Sequence, residues 1–206
     1  MHRILIATKN PGKLHEFKKF LAGLQIEVVS LFDLEISEDI SEDGKSYLEN
    51  ATKKAKFFAE LSGLPTIADD GGIEIDYLDG SPGIKSRRYF GKDGKEATDE
   101  EIISEMDKIA KEIPDEKRGA KFVAVIVLAM PNGNTFDVTG IIKGEISSES
   151  RKNAVKGYPY RSFFYLPKLK KFYRENELSE EESKLYNHRY KAVQKLLPII
   201  RRELKI

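Results

Sequence analysis

The sequence predicts an α/β fold, and three observations carry that expectation. Ile4-Leu5-Ile6-Ala7 reads as a buried strand that passes through a polar turn into an amphipathic helix, the opening of an α/β unit. Two further helices are announced by Ser46-x-x-Glu49 and Thr98-x-x-Glu101, each a hydroxyl N-cap followed three residues on by an acid. Segment 122–130 and a returning run that ends near Ile146 flank Pro131-Asn132-Gly133-Asn134, a turn signal between two strand-like stretches.

The elements follow in order. Beyond the first strand, Thr8 to Lys13 is expected as a turn, and the helix after it carries Leu14, Phe17 and Leu21 on one face. The second helix sets Leu48, Ala51, Ala55, Phe58 and Ala59 at helical spacing and stops at Gly63 and Pro65. Thr66-Ile67-Ala68 is expected as a buried strand that breaks at Asp69-Asp70-Gly71-Gly72 and resumes over 73–77. A third helix turns Ile102, Met106, Ile109 and Ile113 inward. Ser179-x-x-Glu182 starts a short helix, and 189–204 forms the last one, with a kink expected at Pro198 because proline removes a hydrogen bond.

Composition excludes several functions. The 206 residues suit a single domain, 1–206. Lys plus Arg is 35 and Asp plus Glu is 34, so a net charge of +1 marks neither a bulk polyanion binder nor an acidic protein. The lack of cysteine removes disulfide and thiolate chemistry and suits a reducing compartment. The N-terminal residues lack the pattern of a signal peptide and no uncharged run is long enough to span a bilayer, so the cytoplasm is expected.

The informative charge is local. Thr8-Lys9-Asn10-Pro11-Gly12-Lys13 joins a strand to a helix, so backbone amides, the helix dipole and Lys13 suit an anion. It lacks phosphate-loop spacing, and an ordinary connecting turn reads the same way. Asp69-Asp70 at the end of a buried strand calls for a cation or for hydrogen bonds; a hard divalent ion is the simplest compensation, an aspartate-rich turn the alternative. Seven acidic residues lie between Asp33 and Glu49 against the single Lys45, a pattern of a solvated loop. Segment 151–174 has eight basic residues, no acidic ones and seven aromatics, which suits a nucleotide or single-stranded nucleic acid, or else core aromatics with lysines reaching outward. Asn187 is a good N-cap, and His188-Arg189 after it offers donors suited to a purine edge.

Together these pieces resemble the inosine and xanthosine triphosphate pyrophosphatase family over the whole chain. The resemblance is carried by Ala7-Thr8-Lys9-Asn10-Pro11-Gly12-Lys13 with Glu16; by Glu42 and Gly44 ahead of Glu49-Asn50-Ala51 and Lys54; by Ala68-Asp69-Asp70; and by Gly80-x-Pro82-Gly83-x-x-Ser86-x-Arg88-Tyr89. It implies a mixed, twisted central sheet flanked by helices, two lobes around a nucleotide cleft, a homodimer, and hydrolysis of a nucleoside triphosphate to monophosphate and pyrophosphate. It also implies that Glu42 and Asp70 hold Mg²⁺, that Asp70 activates water, and that Thr8, Asn10, Lys13, Lys54 and Gly71 face phosphate. Tyr158 is then expected to stack on the base, with Arg161, Lys184, His188 and Arg189 around it.

The second half departs from the family's pattern. Where the family has Gly-Phe-Gly-Tyr-Asp-Pro, this chain has Gly157-Tyr158-Pro159-Tyr160-Arg161-Ser162, so a cation stands in place of an acceptor. The lysine expected five residues before His188-Arg189 is Ser183, with Lys184 one place on; Asn187 replaces a serine, and Gly71 replaces the serine after Asp70. Arg161 is expected either to point into the cleft and favour a base with more acceptors or an extra phosphate, or, the preferred outcome because Pro159 fixes a backbone dihedral, to swing out to solvent and leave a pocket that separates inosine from ordinary purine triphosphates by about tenfold at most. Two other functions fit parts of the sequence: a nucleotide-binding protein without turnover, and a single-stranded nucleic-acid binder using 151–174. Nucleic acid is not the expected partner.

Overall fold

The computed structural model describes residues 2–92, 95–152, 155–174 and 176–206. Asn153 and Ala154, part of the run that departs from the family's glycine-rich motif, lie outside the described residues. In chain order the elements are β1 (His2–Ile6), α1 (Pro11–Leu21), β2 (Ile26–Ser30), α2 (Tyr47–Ser62), β3 (Thr66–Ile75), α3 (Asp99–Glu112), β4 (Gly119–Ala129), β5 (Thr135–Ile146), β6 (Phe164–Leu166), β7 (Lys171–Phe172), α4 (Glu180–Leu185) and α5 (His188–Leu204). The strands are ordered β2-β1-β3-β4-β5-β6-β7. β1 runs parallel to β2 and β3, whereas β6 is antiparallel to both β5 and β7, so the sheet is mixed as expected.

The chain divides into two compact units: Met1–Asp70, Ala124–Gly140 and His188–Ile206 form the first, Gly71–Val123 and Ile141–Asn187 the second. In the first, side chains alternate across the strands with the period of two that a pleated strand imposes. Ile4, Ile6, Ile67, Ile126 and Leu128 pack with Phe17 and Leu21 of α1 and with Ala192, Val193 and Leu196 of α5. Leu5, Ala7, Ala68, Val127 and Ala129 pack with Ala51, Ala55 and Phe58 of α2. Complete burial of Phe17 and Phe58 contributes roughly 1.5–3 kcal/mol each. Gly140 lets α5 approach closely, because a Cβ there would run into the His188 carbonyl and the Ala192 amide.

In the second unit, Ile102, Met106 and Ala110 of α3 pack on Ile73, Ile75, Ile142 and Ile146 together with Phe163, Phe164 and Tyr173. This accounts for most of the interleaved aromatics in 151–174. Tyr160, Phe163, Phe164, Phe172 and Tyr173 are buried, so they are core rather than stacking platforms for nucleic acid.

Four expectations change. β3 does not break at Asp69-Asp70-Gly71-Gly72 but runs through them to Ile75, since both carboxylates find partners that keep them in a buried strand. The acid of the second helix's box does not close it: Ser46 accepts from the Glu49 amide at 3.1 Å, while the Glu49 carboxylate takes the Lys45 amide at 2.6 Å. Leu48 in that first turn is 42% exposed, because it precedes the stripe that faces the sheet. β2 and the short β6 and β7 were not anticipated; Glu27 interrupts the apolar run of the one, and two or three residues hold too little pattern for the others. The box at Thr98 and Glu101 closes in both directions, as does that at Ser179 and Glu182.

Candidate active site

The first unit builds a charged cluster where α1, α2, β3, α5 and the loop that carries Glu42 bring their polar positions together. The alternation that sends Ile67 and Ala68 to opposite faces of β3 continues into Asp69 and Asp70. Asp69 therefore turns toward α1 and α5, and Asp70 toward α2.

Asp69 is the acceptor for cations. Its Oδ2 lies 3.2 Å from Lys13 Nζ and accepts from Arg189 Nε at 3.0 Å, and Lys54 Nζ donates to its backbone carbonyl at 3.2 Å. Arg189 also donates to Glu16, so a buried chain Glu16–Arg189–Asp69 ties α1, α5 and β3 together. Burial pushes the Asp69 carboxyl up, but Lys13, Arg189 and Lys54 outweigh it and hold the group well below the usual carboxylate range.

Asp70 has the opposite environment. Asn50 Nδ2 donates to its Oδ2 at 2.8 Å, and Asn50 Oδ1 accepts from the Gly44 amide at 2.8 Å, which fixes the loop carrying Glu42 relative to Asp70. Burial raises the Asp70 carboxyl above its ordinary value; the Asn50 bond opposes this, Glu42 adds to it, and Lys13 and Lys54 only partly compensate. Lys54, on α2, donates to Glu42. Its own ammonium is lowered by burial but raised further by Glu42 and Asp69, so it stays charged.

Asn10 caps α1: its Oδ1 accepts from the Gly12 and Lys13 amides at 2.8 and 3.2 Å, and its own amide donates to Thr8 Oγ1 at 3.2 Å. Two of the amides expected to face an anion thus donate to the cap. His188 opens α5 and is buried beside Arg189. The acidic run sorts into separate tasks, with Asp39 3.1 Å from Lys9, Asp43 2.7 Å from Lys53, and Asp33 accepting from the Ser30 amide and hydroxyl at 2.8 Å each.

The remaining site candidates belong to the second unit. Gly71 continues β3, and Lys184 on α4 pairs with Glu180 at 2.9 Å. Tyr158 is half-buried and precedes the 3-10 turn Pro159–Ser162. Arg161 departs from expectation. It is 3% exposed rather than solvated, with its guanidinium carbon 3.8 Å from the Tyr158 ring centroid and 4.5 Å from that of Tyr173. Two π faces give the buried cation favourable neighbours that solvent would otherwise have to supply.

The structure thus brings Lys13, Glu42, Lys54, Asp70 and Arg189 into one charged network, with Thr8 and Asn10 at the turn that delivers Lys13. Sequence reasoning quoted Asn50 within a motif without giving it a task. Carrying the strand's alternation through Asp69 and Asp70 predicts opposite partners for them, and a helix that pairs with β3 beside Asp70 then invites a search for its donor. Among the described residues no three His, Cys, Asp or Glu side chains form a cage for a metal. Two neighbouring carboxylates, Glu42 and Asp70, are nonetheless the donor set suited to a hard cation that takes one or two protein carboxylates and completes its shell with water and phosphate. Their mutual repulsion, and the burial of Asp70, are what such a cation relieves.

Known proteins resemble this chain over nearly its whole length. The model of the Ham1 family matches residues 4–199. A dITP/XTP pyrophosphatase from Exiguobacterium sibiricum is 35% identical over 194 residues, 94% of this chain and 94% of that protein. One from Halalkalibacterium halodurans is 39% identical over 196 residues, 95% of this chain and 97% of that protein. Among solved structures, a HAM1 protein from Coxiella burnetii matches with a TM-score of 0.81 at 33% identity, over 97% of this chain and 98% of its own. The Ham1 protein of Staphylococcus aureus matches with a TM-score of 0.78 at 32% identity, over 98% and 99%.

Proposed function

The chain belongs to the Ham1 family, and from that premise we propose that it hydrolyses nucleoside triphosphates, non-standard purines such as ITP, dITP and XTP foremost, to a nucleoside monophosphate and pyrophosphate. The observation that carries this reading is the charged network around β3, in which one carboxylate is held by a hydrogen-bond donor and its neighbour by cations.

The roles follow from those partners. Glu42 and Asp70 would hold Mg²⁺, which when bound with the triphosphate offsets phosphate charge and makes water a stronger acid. Asn50 fixes the Asp70 carboxylate, which accepts the proton of the attacking water as the α–β anhydride bond breaks and pyrophosphate leaves. Lys13 and Lys54, with Thr8, Asn10 and Gly71 nearby in sequence to them or to Asp70, bind phosphate oxygens and stabilise charge on the leaving group. Asp69 keeps Lys13 and Arg189 in place rather than meeting substrate itself. Tyr158 is assigned to stacking on the base, and His188, Arg189, Arg161 and Lys184 are the polar residues assigned to base recognition, of which Arg161 is treated below.

The same reading takes a homodimer in the cytoplasm; no helix among the described residues is long and apolar enough to cross a membrane. Sedimentation at micromolar concentration tests the dimer. The activity is tested by following pyrophosphate and orthophosphate release with Mg²⁺ across inosine, xanthosine, guanosine and adenosine triphosphates. Pyrophosphate release with ITP or XTP is expected; orthophosphate with a diphosphate product, or no turnover with any of them, overturns the reading.

A further inference from the structure

The geometry points to Arg161 as a positioning residue that fixes the ring of Tyr158 for nucleotide stacking, instead of reading the edge of the base. This inference rests on the assignment of Tyr158 to the base.

The segment around Tyr158 is pinned on both sides. Before it, the Gly157 amide donates to Asp99 Oδ2 at 2.6 Å, and Asp99 in turn accepts from Arg87 through Oδ1 at 2.6 Å. After it, the Tyr160 hydroxyl donates to the Ser86 carbonyl at 2.7 Å, and the Arg161 amide donates to the Tyr158 carbonyl at 3.1 Å. These bonds hold the backbone on either side and the Tyr160 side chain, and none of them is made by the Tyr158 ring. The Arg161 guanidinium does bear on that ring: it lies 3.8 Å from the Tyr158 centroid and 4.5 Å from the Tyr173 centroid.

Tyr173 is itself locked into the core. Its ring lies 5.8 Å from Phe122 and 6.1 Å from Phe164, which are 4.7 Å from each other. The guanidinium therefore connects a fully packed aromatic cluster to a half-buried ring. Planar and delocalised, it can lie against both faces, which a lysine ammonium does less well. An arginine this buried presents its guanidinium to two rings inside the fold rather than to solvent. Charge reversal relative to the family's aspartate then changes how the aromatic platform is held, and leaves discrimination between purine edges to other residues.

The test compares the parent with Arg161→Lys, Tyr173→Leu, Tyr173→Phe and the Arg161→Lys/Tyr173→Leu double variant, in pyrophosphate release from ITP, XTP and GTP. Thermal unfolding is followed alongside. Arg161→Lys and Tyr173→Leu are expected to raise KM about tenfold, equivalent to about 1.4 kcal/mol, for every nucleotide alike, with kcat within about twofold. Tyr173→Phe keeps the ring and keeps the parent's KM. The double variant is expected to be no worse than the poorer single one, because both changes cut the same link. Tyr173 is buried in the core and meets no nucleotide itself, so non-additivity with Arg161→Lys is what assigns a KM effect there to the Arg161–Tyr158 link.

A changed ratio between ITP and GTP in Arg161→Lys puts the guanidinium on the base edge and overturns the inference. So does an unchanged KM, or a lower melting temperature with both kinetic constants intact, or full additivity. Should Tyr173→Leu not fold, Arg161→Lys and Tyr173→Phe still decide between these outcomes. An inactive parent refutes the enzymatic reading itself, whereas an active parent with unaltered variants refutes only the role of Arg161.

Discussion

Asp69 and Asp70 are adjacent on β3, yet their carboxylates face opposite sides of the strand and respond to opposite surroundings. Asp69 is drawn down by Lys13, Arg189 and Lys54 against the effect of burial, while burial and Glu42 push Asp70 up against the Asn50 bond. Replacing each by its amide should therefore separate stability from catalysis. In Asp69→Asn the buried Arg189 and Lys13 lose their counter-charge, and stability is expected to fall by about 3–5 kcal/mol. In Asp70→Asn a charge that the fold disfavours disappears while Asn50 keeps an oxygen to donate to. The melting temperature is expected to equal or exceed the parent's, with kcat down by about 10²–10⁴-fold through loss of the base. Urea titration and pyrophosphate release measured on both variants check this. A stable Asp69→Asn, or an active Asp70→Asn, contradicts the assignment.

Glu42 is held by Lys54 and positioned by the loop that Asn50 fastens through Gly44. Glu42→Gln removes a carboxylate from the pair suited to Mg²⁺, and the magnesium concentration for half-maximal rate is expected to rise about tenfold, or about 1.4 kcal/mol. Saturating magnesium should recover most of kcat. A magnesium titration that superimposes on the parent's returns Glu42 to the solvated acids around it.

Gly72 follows the two aspartates with no room for a side chain. A Cβ there would run into the Gly83 carbonyl and the Ser86 hydroxyl, which accepts from the Ile73 amide at 3.0 Å and donates to Gly83 at 2.6 Å. Gly72→Ala must displace the turn Gly83–Lys85 or β3 itself, and overpacking of this kind costs about 1–3 kcal/mol. The expected result is a lower melting temperature and a further loss of kcat, since the strand also carries Asp70. Unfolding and activity assays on one preparation would show both; a loss of neither would mean that the turn yields freely.

Much of this arrangement was legible in the sequence because helices and long strands repeat their pattern often enough to be read. α1, α2, α3 and the strand pair around Asn132-Gly133 each offer several apolar positions or a cap. β2, with Glu27 in its middle, and the short β6 and β7 offer too few. The charged residues were legible as types at their spacing, and Lys13, Glu42 and Lys54 all act on the Asp70 carboxyl within the first unit. What could not be read was direction. Nothing local distinguishes the aspartate that anchors cations from the one held by an amide, and nothing in Pro159-Tyr160-Arg161 reveals that the cation lies inward against Tyr173, a residue twelve places on. Those outcomes depend on partners brought from distant segments, as Arg189 is brought to Asp69 across 120 residues.

Asn50 offers the sharpest test of the site, because it is buried and makes its two side-chain bonds in two directions, to Gly44 and to Asp70. Asn50→Ala leaves the Gly44 amide and Asp70 without that partner, and an unmade buried hydrogen bond costs about 1–3 kcal/mol. Asn50→Asp is the more telling change. It retains the shape and the acceptor for Gly44, but it replaces the donor facing Asp70 with a third carboxylate beside Glu42 and Asp70. Without a cation the repulsion should make Asn50→Asp less stable than Asn50→Ala despite its closer fit, and millimolar Mg²⁺ should narrow or reverse that order. If instead Asn50→Asp is the more stable of the two in the absence of divalent ions, Asn50 does not serve as the donor that holds Asp70, and the geometry assigned to the catalytic carboxylate is wrong.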